Sequence, residues 1–443
     1  VSFPKSLPPL LPERPIPAPD VVAATLPNGL AVQAVRREGP PLVAVRLVVR
    51  GGSSDDAVTE PGLAQLLADS LKEGTASRGG ADLAALVQES GGDLGVAAGA
   101  DALVLGASGL AAKASLLLDV VADVARRASF PTGGVDRAKA IALERLETAE
   151  SEPSFLGARA FAKAVYGRHP YGVTAPTASS IRAVTPARLL EESRRRLRPE
   201  RSLLLVVGDV DPAAATAAAA DLLGDWRGSE APPAPVPDAE PPAGGRTVDV
   251  VDRPGSVQTL LLVGGLAPHR TSSEAYALEL AVAIYGGTFS SRLVQNLREE
   301  KGYTYSPGAS ARWLAARGTV RTRAAVRNEV TSASLDEILR EMARMGTTNP
   351  SDEEMDRARR ALAGARAISL QTGAGLADEL ARLWVLGLPS SEIGRTAEAL
   401  SKVTAADVRR VSGRFLDPAL SRVVAVGEAS VVRGELRALA AGN

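Results

Sequence analysis

The sequence predicts an α+β protein made of two similar domains, and three observations carry that prediction. A strand, a polar loop and an apolar helix recur in the same order in both halves of the chain. A proline-rich stretch from Gly228 to Gly245 separates the halves near the middle. The 443 residues, 45% of them hydrophobic, suffice for two cores of ordinary domain size. The expected division is an extended N-terminal arm at 1–21, an N-terminal domain at 22–227, a linker at 228–245 and a C-terminal domain at 246–443.

Each element has a local reason. Val1 to Pro19 is rich in proline and lacks the basic and apolar regions of a secretory signal, so it reads as an arm. Leu42 to Val49 is rich in β-branched residues and predicts a strand, followed by the polar loop Gly51 to Glu60. Pro61 suits a first helical turn, Leu63, Leu66, Leu67 and Leu71 keep helical spacing, and Gly74 provides a stop. Leucines and alanines at three- and four-residue intervals predict helices over Leu116 to Val124 and Val135 to Ala149. Leu203 to Val207 is strand-like, and Asp211-Pro212 makes an N-cap and N1 pair for an alanine-rich helix ending near Leu223. Six prolines, at 232, 233, 235, 237, 241 and 242, exclude a central strand or a continuous helix and predict a semi-rigid linker. Beyond it come a strand at Val257 to Val263, a Gly-Gly and polar loop, and an apolar helix from Glu274 to Ile284.

Composition narrows the function. Lys+Arg and Asp+Glu both number 51, so the basic excess of a nucleic-acid binder is missing. No apolar stretch approaches the ~18 residues of a membrane span. With no cysteine there is no disulfide, thiolate zinc site, iron–sulfur cluster or cysteine nucleophile. The 2 histidines, His169 and His269, are the only imidazoles. A first residue of Val and the absence of cysteine set the expectation of a periplasmic location, with the cytoplasm as the alternative.

Two stretches carry a family resemblance. Gly-Gly-Ser-Ser-Asp-Asp, followed by Pro61-Gly62-Leu63-Ala64-Gln65-Leu66-Leu67-Ala68-Asp69-Ser70 and closing on Gly74-Thr75, resembles the active-site helix of the insulinase/pitrilysin metallopeptidases, inverted zincins with an H-x-x-E-H helix. In that alignment the first zinc histidine falls on Gln65, the general-base glutamate on Ala68 and the second histidine on Asp69. The third ligand, a glutamate eight residues before a proline, falls on Arg145 when counted from Pro153; Glu144 beside it points about 100° away around the helix. Tyr166 to Gly172 is similar to a turn of the same family. In the second half, Tyr285-Gly286-Gly287-Thr288-Phe289-Ser290-Ser291-Arg292-Leu293 and Asn296 to Ser306 resemble the family's C-terminal motif, in which an arginine and a tyrosine seven apart face the zinc site. Arg298 and Tyr305 keep that spacing.

The resemblance implies two antiparallel-rich sheets backed by helices, forming half of a clamshell chamber. It further implies no metal or cofactor in this chain, zinc in a homologous zinc-bearing partner subunit, and Arg298 and Tyr305 binding the peptide substrate and steadying an oxyanion there. A catalytically inactive scaffold and a stand-alone peptide-binding protein of the same fold are the alternatives. Plainer readings also stand: Gln65 and Asp69 as a polar stripe, Arg298 as a surface ion-pair residue and Tyr305 as a packed aromatic. His169 reads as structural and His269 as a surface residue. The arginines from Arg194 to Arg201, flanked by Glu191, Glu192 and Glu200, read as a solvated helix end. Gly286-Gly287 lacks the lysine and Ser/Thr order of a phosphate-binding loop.

Overall fold

A computed structural model of the chain describes residues 16–228 and 231–441, with side chains described to residue 436; most of the arm expected at 1–21 lies outside them. The first sheet contains β1 (Val22–Thr25), β2 (Ala31–Arg36), β3 (Leu42–Arg50), β4 (Asp93–Ala98), β5 (Ala102–Leu110) and β6 (Ser202–Gly208), in the order β1-β2-β6-β3-β5-β4. The second contains β7 (Thr247–Asp252), β8 (Gln258–Leu266), β9 (Gly308–Arg312), β10 (Thr319–Arg327) and β11 (Arg422–Gly427), in the order β7-β11-β8-β10-β9. In each sheet one pair is parallel, β2 with β6 and β7 with β11, and the remaining pairs are antiparallel. Leaving out β1, the two sheets have one topology, so the repeat is real in space although little of it survives in residue identity.

The sheets separate a main core from a secondary one. On one face of the first sheet Val45, Leu47, Leu105 and Leu204 pack against the helices Leu63–Leu71 and Ala114–Arg127. The corresponding face of the second sheet, with Leu261, Val263 and Val423, packs against the helices Ala275–Val282, Thr331–Thr347 and Ala405–Phe415.

The other faces are covered by exchange. Helix Pro153–Tyr166 of the first half sets Phe161 and Val165 on Leu260, Leu262, Val424 and Val426 of the second sheet. Helix Gly373–Val385 of the second half sets Leu376, Leu380 and Leu383 on Val48, Leu203, Leu205 and Val207 of the first. This explains why β6 and β11 are buried along their whole length and read as unbroken apolar runs. A Cβ on Gly157 would sit 3.0 Å from Leu262 Cδ1, so glycine allows the exchanged helix to approach β8 closely. The second exchange is reinforced by Arg46, which pairs with Asp378 at 3.0 Å, and by Arg50, which stacks 4.1 Å from the Trp384 ring.

Residues 231–246 form no helix or strand and are strapped to the body. Arg201 donates to the Pro233 carbonyl (3.1 Å), Arg317 to Ala239 (3.3 Å) and Arg422 to Pro242 (3.0 Å). Both histidines hold the same place: His169 Nε2 lies 2.9 Å from the Pro237 carbonyl and His269 Nε2 lies 3.0 Å from Asp238. His269 is thus at the surface but has a partner that sequence distance hid. No described helix is long and apolar enough to cross a membrane.

Candidate functional site

The motif helix Leu63–Leu71 begins at Gly62, which has no side chain to cap it. Asp56 supplies the cap from the preceding loop, accepting from the Gly62 and Ala64 amides at 3.0 Å each. Asp56 is in turn held by Arg196 at 2.7 Å, and Arg196 also donates to Glu192 and to the Gly52 carbonyl. Burial raises the Asp56 carboxyl in spite of the pull from Arg196 and the two amides. Burial would also raise the Glu192 carboxyl, but hydrogen bonds and charge from Arg195 and Arg196 override it and hold it down at about 2. The arginine run is therefore not a solvated helix end. The Arg196 and Glu192 side chains are 0% exposed, and Arg188 links the network to Glu60 of the loop at 2.9 Å. A sequence window shows the alternation of charges but not that the helix Pro186–Arg196 lies against the motif loop.

The four degenerate motif positions do not share one environment. Gln65 is exposed and its Nε2 donates to Asp69 Oδ1 at 3.2 Å. Asp69 Oδ2 lies 3.6 Å from Arg145 Nη1, on helix Thr132–Ser151. Ala68 is fully buried in the main core, a methyl where a proton acceptor would be needed. So the fold brings Gln65, Asp69 and Arg145 together across two helices, and they close on one another. They do not fit a zinc ion: Asp69 alone is a competent ligand, and a guanidinium stands beside it. Among the described residues no group of three or more His, Cys, Asp or Glu is placed to hold a metal.

The second half is built differently. Tyr285 is fully buried and its hydroxyl lies 3.0 Å from Thr322 Oγ1. A Cβ on Gly286 would fall 2.8 Å from the Ala309 amide nitrogen, so the Gly-Gly pair serves close packing on β9. That packing sets the loop from which Phe289 projects. The Arg298 guanidinium lies against two rings, 4.9 Å from the Phe289 centroid and 4.7 Å from the Tyr305 centroid. Its ion-pair partner is the adjacent Glu299, at 3.1 Å. Both rings are open to solvent, Phe289 68% and Tyr305 81% exposed. Phe289 is the member that sequence reasoning missed, although it stands in the glycine-rich loop itself. Among the described contacts, those of Arg298 and Tyr305 stay within the second half and none reaches Gln65, Asp69 or Arg145.

Beside Gln65 a cavity of about 170 Å³ is bounded by Asp56, Gly62, Ala98, Arg168 and Val173. It shares Ser53, Ala98, Val173 and Thr174 with a second cavity of about 290 Å³ between the halves, where Tyr166, Tyr171, Ser310, Arg312 and Arg321 contribute. Tyr166 donates to the Arg317 carbonyl at 2.8 Å and Tyr171 to Asp101; burial raises both phenols. His169 accepts from the Tyr171 amide at 3.1 Å and donates toward the connector, which is a structural role. Strands β4 and β9, which border this space, are edge strands of their sheets.

With this geometry in place, comparison with known proteins gives a consistent picture. Residues 32–174 match the family described as insulinase (peptidase family M16), and residues 183–362 match the peptidase M16 inactive domain. An uncharacterized zinc protease of Mycobacterium tuberculosis is 28% identical over 399 residues, covering 88% of this chain and 90% of the relative. One from Streptomyces coelicolor is 25% identical over 409 residues, covering 90% and 88%. A crystal structure of a peptidase M16 inactive domain from Pseudomonas fluorescens superposes with a TM-score of 0.85 at 26% identity, over 92% of this chain and 98% of that one. A Helicobacter pylori protease shares the fold, with a TM-score of 0.85 at 18% identity, over 92% and 99%.

Proposed function

The chain belongs to the insulinase (M16) peptidase family, and we propose that within it the chain serves as the non-catalytic subunit of a heterodimeric zinc endopeptidase. In this reading Arg298 and Tyr305 complete the active site of a zinc-bearing partner. The observation that carries it is the contrast in availability. The motif helix has spent its polar groups on one another, whereas Arg298 lies against two exposed rings, itself partly exposed, with the adjacent Glu299 as its ion-pair partner. Contact with both rings restrains the guanidinium. A restrained cation next to a phenol hydroxyl suits the stabilisation of charge developing on a peptide carbonyl, because little reorganisation is left for the reaction itself. Zinc on the partner would supply the activated water; this chain would bind and orient the peptide.

The test is co-expression with an H-x-x-E-H homologue from the same genome and purification by a tag on this chain alone. The expected result is a stoichiometric pair with about one zinc and peptide cleavage that neither chain shows by itself. Arg298→Ala should then lower turnover about 10²-fold while the pair still assembles. Full turnover in that variant would remove the proposed role.

A second reading, a peptide-binding protein that uses the chamber without hydrolysis, is favoured by β4, an edge strand among the described residues, close to the cavity at Gln65. An open edge strand offers an extended peptide a row of backbone partners. Peptide binding by this chain alone, with no gain in hydrolysis on adding the homologue, would select it over the first. A chain that binds neither partner nor peptide would be a scaffold.

A further inference from the structure

The inter-half cavity contains charges that the reading above leaves unused. On β10 the side chains of Val320, Thr322, Ala324 and Val326 enter the core, so Thr319, Arg321 and Arg323 stand on the opposite face. In the β9 register Arg312 faces Thr319, Ser310 faces Arg321 and Gly308 faces Arg323. Arg312 and Arg321 are therefore diagonal neighbours on one face, and both line the cavity of about 290 Å³. The exchanged helix Pro153–Tyr166 covers β8 and β11 and gives Ala158, Phe161 and Ala162 to the cavity wall, leaving these guanidinium groups beside it.

Arg321 is half-buried beside the exposed Arg312 and Arg323, and it differs from several buried arginines in what it meets. Arg196, Arg270 and Arg292 each meet a carboxylate. Among the described residues none pairs with Arg312, Arg321 or Arg323. Burial, followed by the charges of Arg312 and Arg323, lowers the Arg321 pKa, as for a cation held near like charges without a counterion. Asp101, the carboxylate that meets the cavity-lining Tyr171, is engaged: it accepts from the Tyr171 hydroxyl and from the Ala315 amide at 2.9 Å. The cavity continues past the end of β4, through Ser53, Ala98, Val173 and Thr174, to the space beside Gln65. A peptide lying along that path passes the arginines.

We propose that Arg312 and Arg321 form a specificity site for a carboxylate of the bound peptide, so that the chamber selects acidic segments or a free C-terminus. This rests on the peptide-binding reading and refines it. A carboxylate can accept from two guanidinium groups and supply the missing countercharge, a stronger contact than a neutral hydrogen bond. Acidic side chains and the terminal carboxylate share that chemistry, and the test separates them.

Fluorescence anisotropy would be measured on the full chain with four labelled peptides of one scrambled sequence. One carries internal glutamates and an amidated C-terminus, one is neutral with a free C-terminus, one is neutral and amidated, and one carries lysines and is amidated. A carboxylate-bearing peptide should bind about tenfold more tightly than the neutral amidated one, and the preference should weaken with salt. Arg312→Gln combined with Arg321→Gln should abolish the preference, Arg312→Lys with Arg321→Lys should keep part of it, and Arg409→Gln, exposed on helix Ala405–Phe415, should leave it intact. Circular dichroism melts matching wild type would show that the double variant is folded; should it not fold, the Arg312→Gln single variant, at an exposed position, must reduce the preference by itself. Equal binding of all four peptides, or a preference retained in the folded glutamine variant, overturns the proposal and leaves the peptide-binding reading standing. Binding of none of them, with or without the homologous partner, overturns both.

Discussion

The two halves share one sheet topology, yet the polar side chains of their two motif regions have had different fates. In the first half Gln65, Asp69 and Arg145 satisfy one another, and Asp56, Glu192 and Arg196 form a closed network beneath the loop. In the second half Arg298 lies against two exposed rings with only the adjacent Glu299 as its ion-pair partner, and Arg312 and Arg321 line a cavity to which, among the described residues, no acid contributes. The comparison teaches that residue type alone is a poor guide to a working site in this fold. The informative property is how far a charged group is neutralised inside its own chain: closed groups serve the scaffold, and the less neutralised ones are those proposed to meet a ligand or partner.

That contrast can be broken from its largest effect downward. Gln65→His with Asp69→His and Arg145→Glu should turn the closed trio into a zinc site binding about one ion per chain, because three N and O ligands from two helices suffice. Metal analysis after gel filtration would check it, and no zinc would show that the helices have drifted from a ligand geometry. Next, Arg196→Ala leaves Glu192 buried without its closest cation and should cost about 3–5 kcal/mol in denaturant unfolding. A loss below about 1 kcal/mol would mean that the network only decorates the loop.

Acid should reveal the same network. Glu192 is held at about 2 in the folded chain, below the ~4.3 of an unfolded glutamate. A depressed folded value means that its stabilisation is complete above the unfolded value and is lost as pH falls through about 4 toward 2. Its share is on the order of 3 kcal/mol, and thermal melts from pH 6 to pH 2 of wild type and Glu192→Gln would isolate it: the wild type should lose the larger part. The smallest effect belongs to Arg145→Ala. Its pair with Asp69 is 3.6 Å long and the arginine side chain is 66% exposed, so stability should change by less than about 0.5 kcal/mol. A larger loss would place a structural role where the comparison finds none.

Much of the scaffold was legible because its causes are local. Asp211 does cap the helix Pro212–Leu223, accepting from the Ala213 amide at 2.9 Å, and β3 and β8 fall on the β-branched and leucine runs that predicted them. Gln65 and Asp69 share a helix face because they stand four residues apart, and Arg145 meets Asp69 from a second helix. Other features had no local signature. Phe289 carries no mark distinguishing a ring that stacks on Arg298 from one that enters the core, and His269 meets Asp238 across 31 residues of chain.

The sequence by itself determined two strand–loop–helix repeats, their proline-rich connector and a motif helix without a catalytic set. Backbone preference, capping and side-chain period act over a few residues and can be read there. Only the tertiary structure decided that helix Pro153–Tyr166 covers the second sheet and helix Gly373–Val385 the first, that Arg196 is buried while Arg298 stays partly exposed against two rings, and that Arg312 and Arg321 share a cavity. An amphipathic pattern states that a face must be covered but not by what. The partner of a charge is likewise set by which surfaces meet, and those contacts join residues far apart in the chain.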